Sequence, residues 1–218
     1  MDYDQHVLYK RKGYQNVMKK IIVAVCGASG VLYGLRLIRA LLAMPVHVYL
    51  SVSEAGWQVM AHETVYHGEP FEDFLKNQGV VFHEKAILNI YEADDLFAPP
   101  ASGSFRHDGM IIAPCSMKTL GAIAAGIAGD LILRAADVCL KEKRPLVLLT
   151  RETPLSLIHI ENMRRAALAG AVIMPPCPSF YTRPETVLDI VDATVARVLD
   201  QVGIETDLIR RWGAYAST

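Results

Sequence analysis

At 218 residues with 22 Lys+Arg against 23 Asp+Glu, a net charge of −1, the chain is sized for one domain with a full core. It lacks the broad basic field that would recruit nucleic acid or anionic lipid. Hydrophobic residues make up 52%, yet no stretch reaches the roughly 18 uninterrupted apolar residues of a membrane span, so the surplus apolar area is expected to be buried between subunits.

Residues 1–17 carry charge and aromatics but no apolar h-region; they read as a loose arm and not a secretory signal, with Met18 as an alternative start. A flavour of fold emerges from residue 18 onward, with a domain over 18–203 and a tail over 204–218. Residues 20–26 form a β-rich run opening into Gly27-Ala28-Ser29-Gly30, after which Val31, Leu35, Ile38 and Leu42 recur at helical spacing until Pro45. Residues 46–52 read as a second strand, and Ser53 is placed to cap a helix over 54–62. His62-Glu63 with His67 invites a metal reading, but histidines five apart on a helix lie about 140° apart, so no metal site is expected there. A short third strand is expected at 80–83, followed by a loop over 96–105 whose prolines and small residues oppose regular structure. Then come a buried strand at 109–114, helices at 120–127 and 131–141, a strand at 146–150, a helix at 156–169 ended by Gly170, a strand at 171–174, and a last helix opened by Pro184 and running to about 202. Alternation of strand and helix predicts a single three-layer α/β/α domain around a doubly wound, Rossmann-like parallel sheet.

In such sheets ligands bind outside the carboxyl ends of the strands. The apolar run at 145–150 stops at Arg151-Glu152, and Arg134 and Lys141 add cations just upstream, a pattern suited to an anion; an ion pair closing a surface loop is the bland alternative. The turn Gly27–Gly30 lets backbone N–H groups approach a phosphate at a helix N-terminus. It is G-x-x-G and not G-x-G-x-x-G, and the second strand ends Ser51-Val52-Ser53 where a dinucleotide site wants a carboxylate, with Glu54 alone to supply one. Ser116, Lys118 and Thr119 follow the 109–114 strand and place donors on the same edge, although helix capping would account for either hydroxyl alone. Cys115 has no histidine near it in sequence and reads as a small buried residue. The four cysteines, Cys26, Cys115, Cys139 and Cys177, form no C-x-x-C pair, which gives no zinc or dithiol signal and fits a reducing cytoplasm. Tyr181 and Arg183 follow a proline-rich lead that would hold a loop over the edge. Arg197 sits among apolar residues of the last helix and calls for an anionic partner, with Asp189, Asp192 or Asp200 in reach.

The segments GASG, PCSMKTL, RAADVCLKEKRPLVLLTRETPLSLIHIENM, PPCPSFYTRPET and VARVLDQ, in this order between about residues 18 and 212, resemble the UbiX-type flavin prenyltransferases, relatives of the homo-oligomeric flavin-containing cysteine decarboxylases. The resemblance implies a metal-independent reaction in which dimethylallyl phosphate prenylates reduced FMN, closing a fourth ring between N5 and C6, to give prenylated FMN for a partner decarboxylase. It implies FMN contacts from Gly27, Ala28, Ser29, Ser53, Ser116, Met117, Lys118, Thr119 and Arg151, and prenyl-phosphate contacts from Arg134, Lys141, Tyr181 and Arg197. Glu152 matches the acid that assists phosphate departure, and Ser29 with Glu63 match the pair that handles protons around the new ring. A homo-oligomer, a dodecamer with sites shared between subunits, is implied as well, with neither nucleic acid nor membrane as partner. Two features depart from the family: Leu96 stands where some members carry a tryptophan walling the prenyl pocket, and the amino-terminal arm exceeds the usual start. Two other readings stay open, an FMN-dependent decarboxylase and a non-catalytic flavin carrier. The first is opposed by Pro114–Lys118, where such relatives carry an asparagine–methionine segment.

Overall fold

The computed structural model describes residues 18–212; the arm over 1–17 and residues 213–218 lie outside them. Apolar runs give the strands β1 (Lys19–Val25), β2 (Val46–Val52), β4 (Gly109–Cys115) and β5 (Leu146–Thr150), with β3 (Ile87–Tyr91) and the two-residue β6 (Val172–Ile173) at the edges. Helices α1 (Val31–Leu42), α2 (Glu54–Glu63), α3 (Phe71–Asn77), α4 (Met117–Ala124), α5 (Leu131–Lys141), α6 (Leu157–Leu168) and α7 (Val187–Gln201) fill the connections. The six strands are all parallel in the order β3-β2-β1-β4-β5-β6, so the sheet is the expected doubly wound, Rossmann-like one, its strand order turning back between β1 and β4.

Residues alternate between the two faces of each strand, and this sorts the core into two layers. Ile21, Val23 and Val25 of β1 pack with Leu37, Ile38 and Leu41 of α1 and Val195, Val198 and Leu199 of α7. Ile22, Ala24 and Cys26 face Leu120 of α4 and Ile132, Ala135 and Cys139 of α5. Helix α1 approaches β4 closely because position 34 is glycine: a Cβ there would stand 2.3 Å from the Ala113 carbonyl oxygen. The Arg36 guanidinium reaches Asp192 with Nε at 2.8 Å, tying α1 to α7.

Several boundaries differ from expectation. The third strand is not at 80–83: Val80 N–H closes the end of α3 on Leu75 O at 3.0 Å and His83 N–H donates to Leu42 O at 2.7 Å. That apolar stretch is therefore a connector from α3, a helix the sequence reading omitted, and the true strand begins seven residues later, at Ile87, with Ile87 and Ile90 exposed at the sheet edge. Helix α4 begins at Met117, because Ser116 caps it, and stops at Ala124. Helix α7 begins at Val187 and not at Pro184, since Thr186 and Asp189 form a reciprocal capping box. Residues 99–101 make one 3₁₀ turn inside the proline-rich loop. Gly170 follows α6 at φ 112, as a terminating glycine should. Beyond α7, Ile204 is buried in the core and Arg211 pairs with Asp200 at 2.7 Å, so the chain up to residue 212 is anchored.

Candidate active site

A cleft of about 700 Å³ opens over the carboxyl ends of β1 and β4, the switch point of the sheet. Gly27 follows β1, Ser53 follows β2, and Ser116, Lys118 and Thr119 follow β4; all five line it. The local folding explains their placement. Ser53 caps α2, its hydroxyl accepting from Gly56 N–H at 3.0 Å, and Ser116 caps α4, accepting from Thr119 N–H at 3.2 Å while its hydroxyl meets Thr119 Oγ1 at 3.0 Å. The capping role considered for Ser116 is thus real, and the same hydroxyl still borders the cleft. Gly27 forms a floor without a side chain: a Cβ there would lie 2.4 Å from Ala55 Cβ. Below it the Cys26 thiol is pushed up to about 11 by burial, which outweighs its hydrogen bond with Thr119 and the charge of Lys118. Burial likewise raises Cys115 well above the ordinary thiol range, so both are inert thiols.

A second groove on the same edge is lined by Ser29, Gln58, Val59, His62 and Glu63. Glu63, at the end of α2, accepts from Gly30 N–H at 2.9 Å and Val31 N–H at 3.0 Å. These are the helix-end amides that the sequence reading offered to a phosphate; a carboxylate of the chain already holds them. Desolvation pushes Glu63 up, but hydrogen bonds from Ser29, Gly30 and Val31 and the charge of Arg151 together hold it below the ordinary carboxylate range. Ser29, Glu63 and Arg151 are thereby brought to one place.

A depressed folded-state pKa gives a stability contribution complete above the ordinary carboxylate range and lost as pH falls through the folded value. Glu63→Gln, which removes a cap of α1, is expected to cost about 1 kcal/mol near neutral pH. In thermal melts across pH, its difference from the parent protein should shrink as pH falls below the ordinary carboxylate range and through the depressed folded-state value. A difference independent of pH would show that the carboxylate charge does not support α1.

Arg151 follows β5, its N–H donating to Cys115 O at 3.1 Å, and exposed Glu152 accepts at Oε1 from Thr153 N–H at 3.0 Å. Neither lines the two grooves, and within one protomer neither do Arg134, Lys141, Tyr181 and Arg197. Arg134 on α5 donates from Nε to Ala101 O at 3.0 Å and pairs with Asp137. Lys141 is in the last turn of α5, the end that leads into the start of β5 and so away from Arg151; it pairs with Glu142. Tyr181 packs edge-on against Trp212 at 5.6 Å. Arg197 is exposed, and of its three candidate partners Asp200 takes it at 2.8 Å, shared with Arg211. Asp192 is engaged by Arg36 and Asp189 caps α7.

The sequence reading missed three acidic residues at the cleft, Glu92, Asp94 and Asp130. Asp130 caps α5, accepting from Leu133 N–H at 2.8 Å, and an aspartate ahead of the apolar run Leu131–Leu133 was a readable capping signal. Glu92 and Asp94 were hidden by the misplaced third strand, since only a strand ending at Tyr91 puts them on the ligand edge.

Comparison with known proteins agrees with this geometry. Residues 10–199 match the family model described as Flavoprotein. The chain is 47% identical over 194 residues to the flavin prenyltransferase UbiX of Archaeoglobus fulgidus, covering 89% of this chain and all of that one, and 46% identical over 196 residues to the mitochondrial flavin prenyltransferase PAD1 of Saccharomyces cerevisiae, covering 89% and 75%. Among solved structures, AnUbiX (PadA1) in complex with FMN and dimethylallyl pyrophosphate superimposes with a TM-score of 0.81 at 40% identity, covering 92% of this chain and 100% of that one. A dodecameric FMN-dependent UbiX-like decarboxylase from Escherichia coli O157:H7 gives 0.79 at 46%, covering 88% and 98%. With such identity over 89% of the chain, the chain belongs to the flavoprotein family, as a flavin prenyltransferase of the UbiX type.

Proposed function

We propose that the chain transfers a dimethylallyl group from dimethylallyl phosphate to reduced FMN, using the cleft over β1 and β4 for the flavin. The observation that carries the reading is the convergence there of Gly27, Ser53, Ser116, Lys118 and Thr119 in a chain of this family. The residues fit FMN: Gly27 lets the first turn of α2 pack close to the end of β1, bringing Ser53 to the cleft, hydroxyls and amides suit the polar edge of the flavin, and Lys118 offers a cation. Ala28, Ser29, Met117 and Arg151 complete the FMN contacts in this proposal. When bound, reduced FMN supplies the electron-rich ring that accepts the allyl group.

The chain's own residues lower the barrier to phosphate departure. An allylic carbon losing phosphate becomes a delocalised cation, and departure is eased when cationic donors neutralise the leaving oxygens and an acid protonates them. Arg134, Lys141, Arg197 and the Tyr181 hydroxyl take the first role and Glu152 the second. Glu63, held as a carboxylate on the Gly30 and Val31 amides, is proposed to act beside Ser29 where protons move around the new ring, orienting the hydroxyl and not serving as a strong base.

One protomer does not bring these groups to the flavin cleft, and a homo-oligomer is proposed to complete the site. The exposed side of α6 supports it: Leu157 is 80% exposed, Ile158 72% and Leu168 74%, an apolar surface that a further copy would cover. The Escherichia coli relative is a dodecamer, and the same assembly is proposed here. Among the described residues no helix is long and apolar enough to cross a membrane. A cytoplasmic setting is proposed from the four free cysteines, although the yeast relative is mitochondrial. The product is proposed to serve a separate decarboxylase that requires prenylated FMN.

Anaerobic incubation with reduced FMN and dimethylallyl phosphate, then mass measurement of the extracted flavin, tests the reading. A gain of one five-carbon unit is expected; unaltered flavin would favour a carrier, and decarboxylation by the FMN-loaded protein alone would favour a decarboxylase. Within the reading, Lys141→Ala or Arg134→Ala should weaken use of the prenyl phosphate by about 1.5–3 kcal/mol, the loss of one charge-assisted hydrogen bond. FMN affinity should be left nearly unchanged, and an equal loss in a flavin titration would remove these cations from the phosphate site.

A further inference from the structure

We propose that Arg144, a residue with no assigned part in the reaction, positions the prenyl-phosphate site by clamping the 99–105 strap against the end of α5. The inference rests on the reading above that Lys141 and Arg134 take the phosphate. The Arg144 guanidinium donates from Nη1 to Phe105 O at 2.6 Å and from Nη2 to Gly103 O at 2.8 Å, while Arg134 Nε donates to Ala101 O at 3.0 Å. Three carbonyls within five residues of the strap are thus held by two guanidiniums. Between them, Phe105 N–H closes a turn on Ser102 O at 3.2 Å, and the Ser102 and Ser104 hydroxyls meet at 2.9 Å and are exposed. Lys141 lies directly against this turn: a Cβ on Gly103 would stand 2.6 Å from Lys141 Nζ. Whatever fixes the turn therefore fixes the two hydroxyls relative to the ammonium.

The reach of Arg144 is itself preorganised. Helix α5 ends in a Schellman motif, with Arg144 N–H donating to Cys139 O at 2.8 Å and Lys143 N–H to Leu140 O at 3.2 Å. The residue between helix and Arg144, Lys143, holds the left-handed conformation at φ 55, where glycine is usual. Arg144 is not needed merely to keep the strap folded. The Phe105 ring is pinned separately, edge-on to Tyr49 at 4.9 Å and stacked on buried His107 at 5.9 Å. Loss of the clamp should leave the fold in place and free only the turn that carries Ser102 and Ser104.

The test uses the purified full-length protein as its native assembly, in anaerobic steady-state assays with reduced FMN and dimethylallyl phosphate. Arg144→Gln is expected to lower kcat/KM for the prenyl phosphate about 10- to 100-fold, the scale of an ångström's misplacement, with most of the change in KM. FMN affinity by fluorescence titration and the assembly on gel filtration should stay as in the parent. Arg144→Lys, whose single nitrogen lacks the planar two-pronged fork that spans the two carbonyls, should fall between, and it carries the test if the glutamine variant fails to fold. An unchanged KM in the lysine variant together with an unchanged or unobtainable glutamine variant would overturn the proposal, as would parallel losses of flavin and phosphate binding. Wild-type turnover and a raised KM in Lys141→Ala serve as controls: if these hold while the Arg144 variants behave like the parent, the clamp is wrong and the phosphate site is not. If the controls fail, the underlying reading falls first.

Discussion

Glu152→Gln is expected to bind FMN and dimethylallyl phosphate as the parent does, yet to prenylate reduced FMN about 10²–10⁴-fold more slowly in a single turnover, the usual worth of general acid catalysis. Glutamine keeps the shape and part of the hydrogen bonding but has no proton to transfer. Arg151 N–H is tied to Cys115 O across β4 and β5, so Glu152 begins from a rigid strand end and not from a mobile loop. Its carboxylate is exposed in the protomer and, among the described residues, is used by the adjacent Thr153 N–H alone, which leaves it available to substrate in the proposed oligomer. Glu152→Asp should give an intermediate rate, because the shorter arm misplaces the acid. Near-native turnover by the glutamine variant would mean that protonation of the leaving phosphate is not limiting.

Gly27→Ala should cripple the flavin cleft through sterics alone. The new methyl would stand 2.4 Å from Ala55 Cβ and 3.2 Å from the Ala55 carbonyl carbon, and neither is the tip of a flexible side chain. The first turn of α2 must then move, carrying Ser53 with it. Overpacking of this kind costs about 1–3 kcal/mol, and FMN affinity should fall by an order of magnitude or more, since the cleft wall is displaced along with its floor. Gly27→Ala with Ala55→Gly restores the space at the price of about 1 kcal/mol of helix propensity, so flavin titration should show binding largely recovered. If the double variant binds no better than the single one, the glycine serves the ligand directly and not the packing of α2.

How much could be read beforehand differs by element. Strands β1, β2, β4 and β5 are buried on both faces, so their near-continuous apolar runs announced them. The edge strand β3 carries Asn89 and two exposed isoleucines, and its period is weaker than that of Val80–Phe82, an apolar connector with no sheet partner. Capping chemistry was legible at Ser53, and was overlooked at Asp130 and Thr186, where the same rule applies. The residues that follow strand ends, Gly27, Ser53 and Ser116 to Thr119, could be collected into one site because topology alone brings them together. Arg134, Lys141, Tyr181 and Arg197 could not: they stand on helices and loops outside the cleft of the protomer, and although charge pattern marked Arg134 and Lys141 for an anion, only the family resemblance tied all four to the prenyl phosphate. The Arg197–Asp200 pair, in contrast, follows from i,i+3 spacing on one helix.

The carboxylate of Glu63 on the amides of Gly30 and Val31 also bears on what this fold refuses. Its strand order is that of proteins which seat the pyrophosphate of a dinucleotide at the turn between β1 and α1, where the helix dipole and free N–H groups welcome it. Here a pyrophosphate arriving at that turn would have to evict an anion from two hydrogen bonds while meeting its charge at close range. The customary pyrophosphate seat of this architecture is thus already filled by a carboxylate of α2, a built-in competitor for any anion that approaches the start of α1.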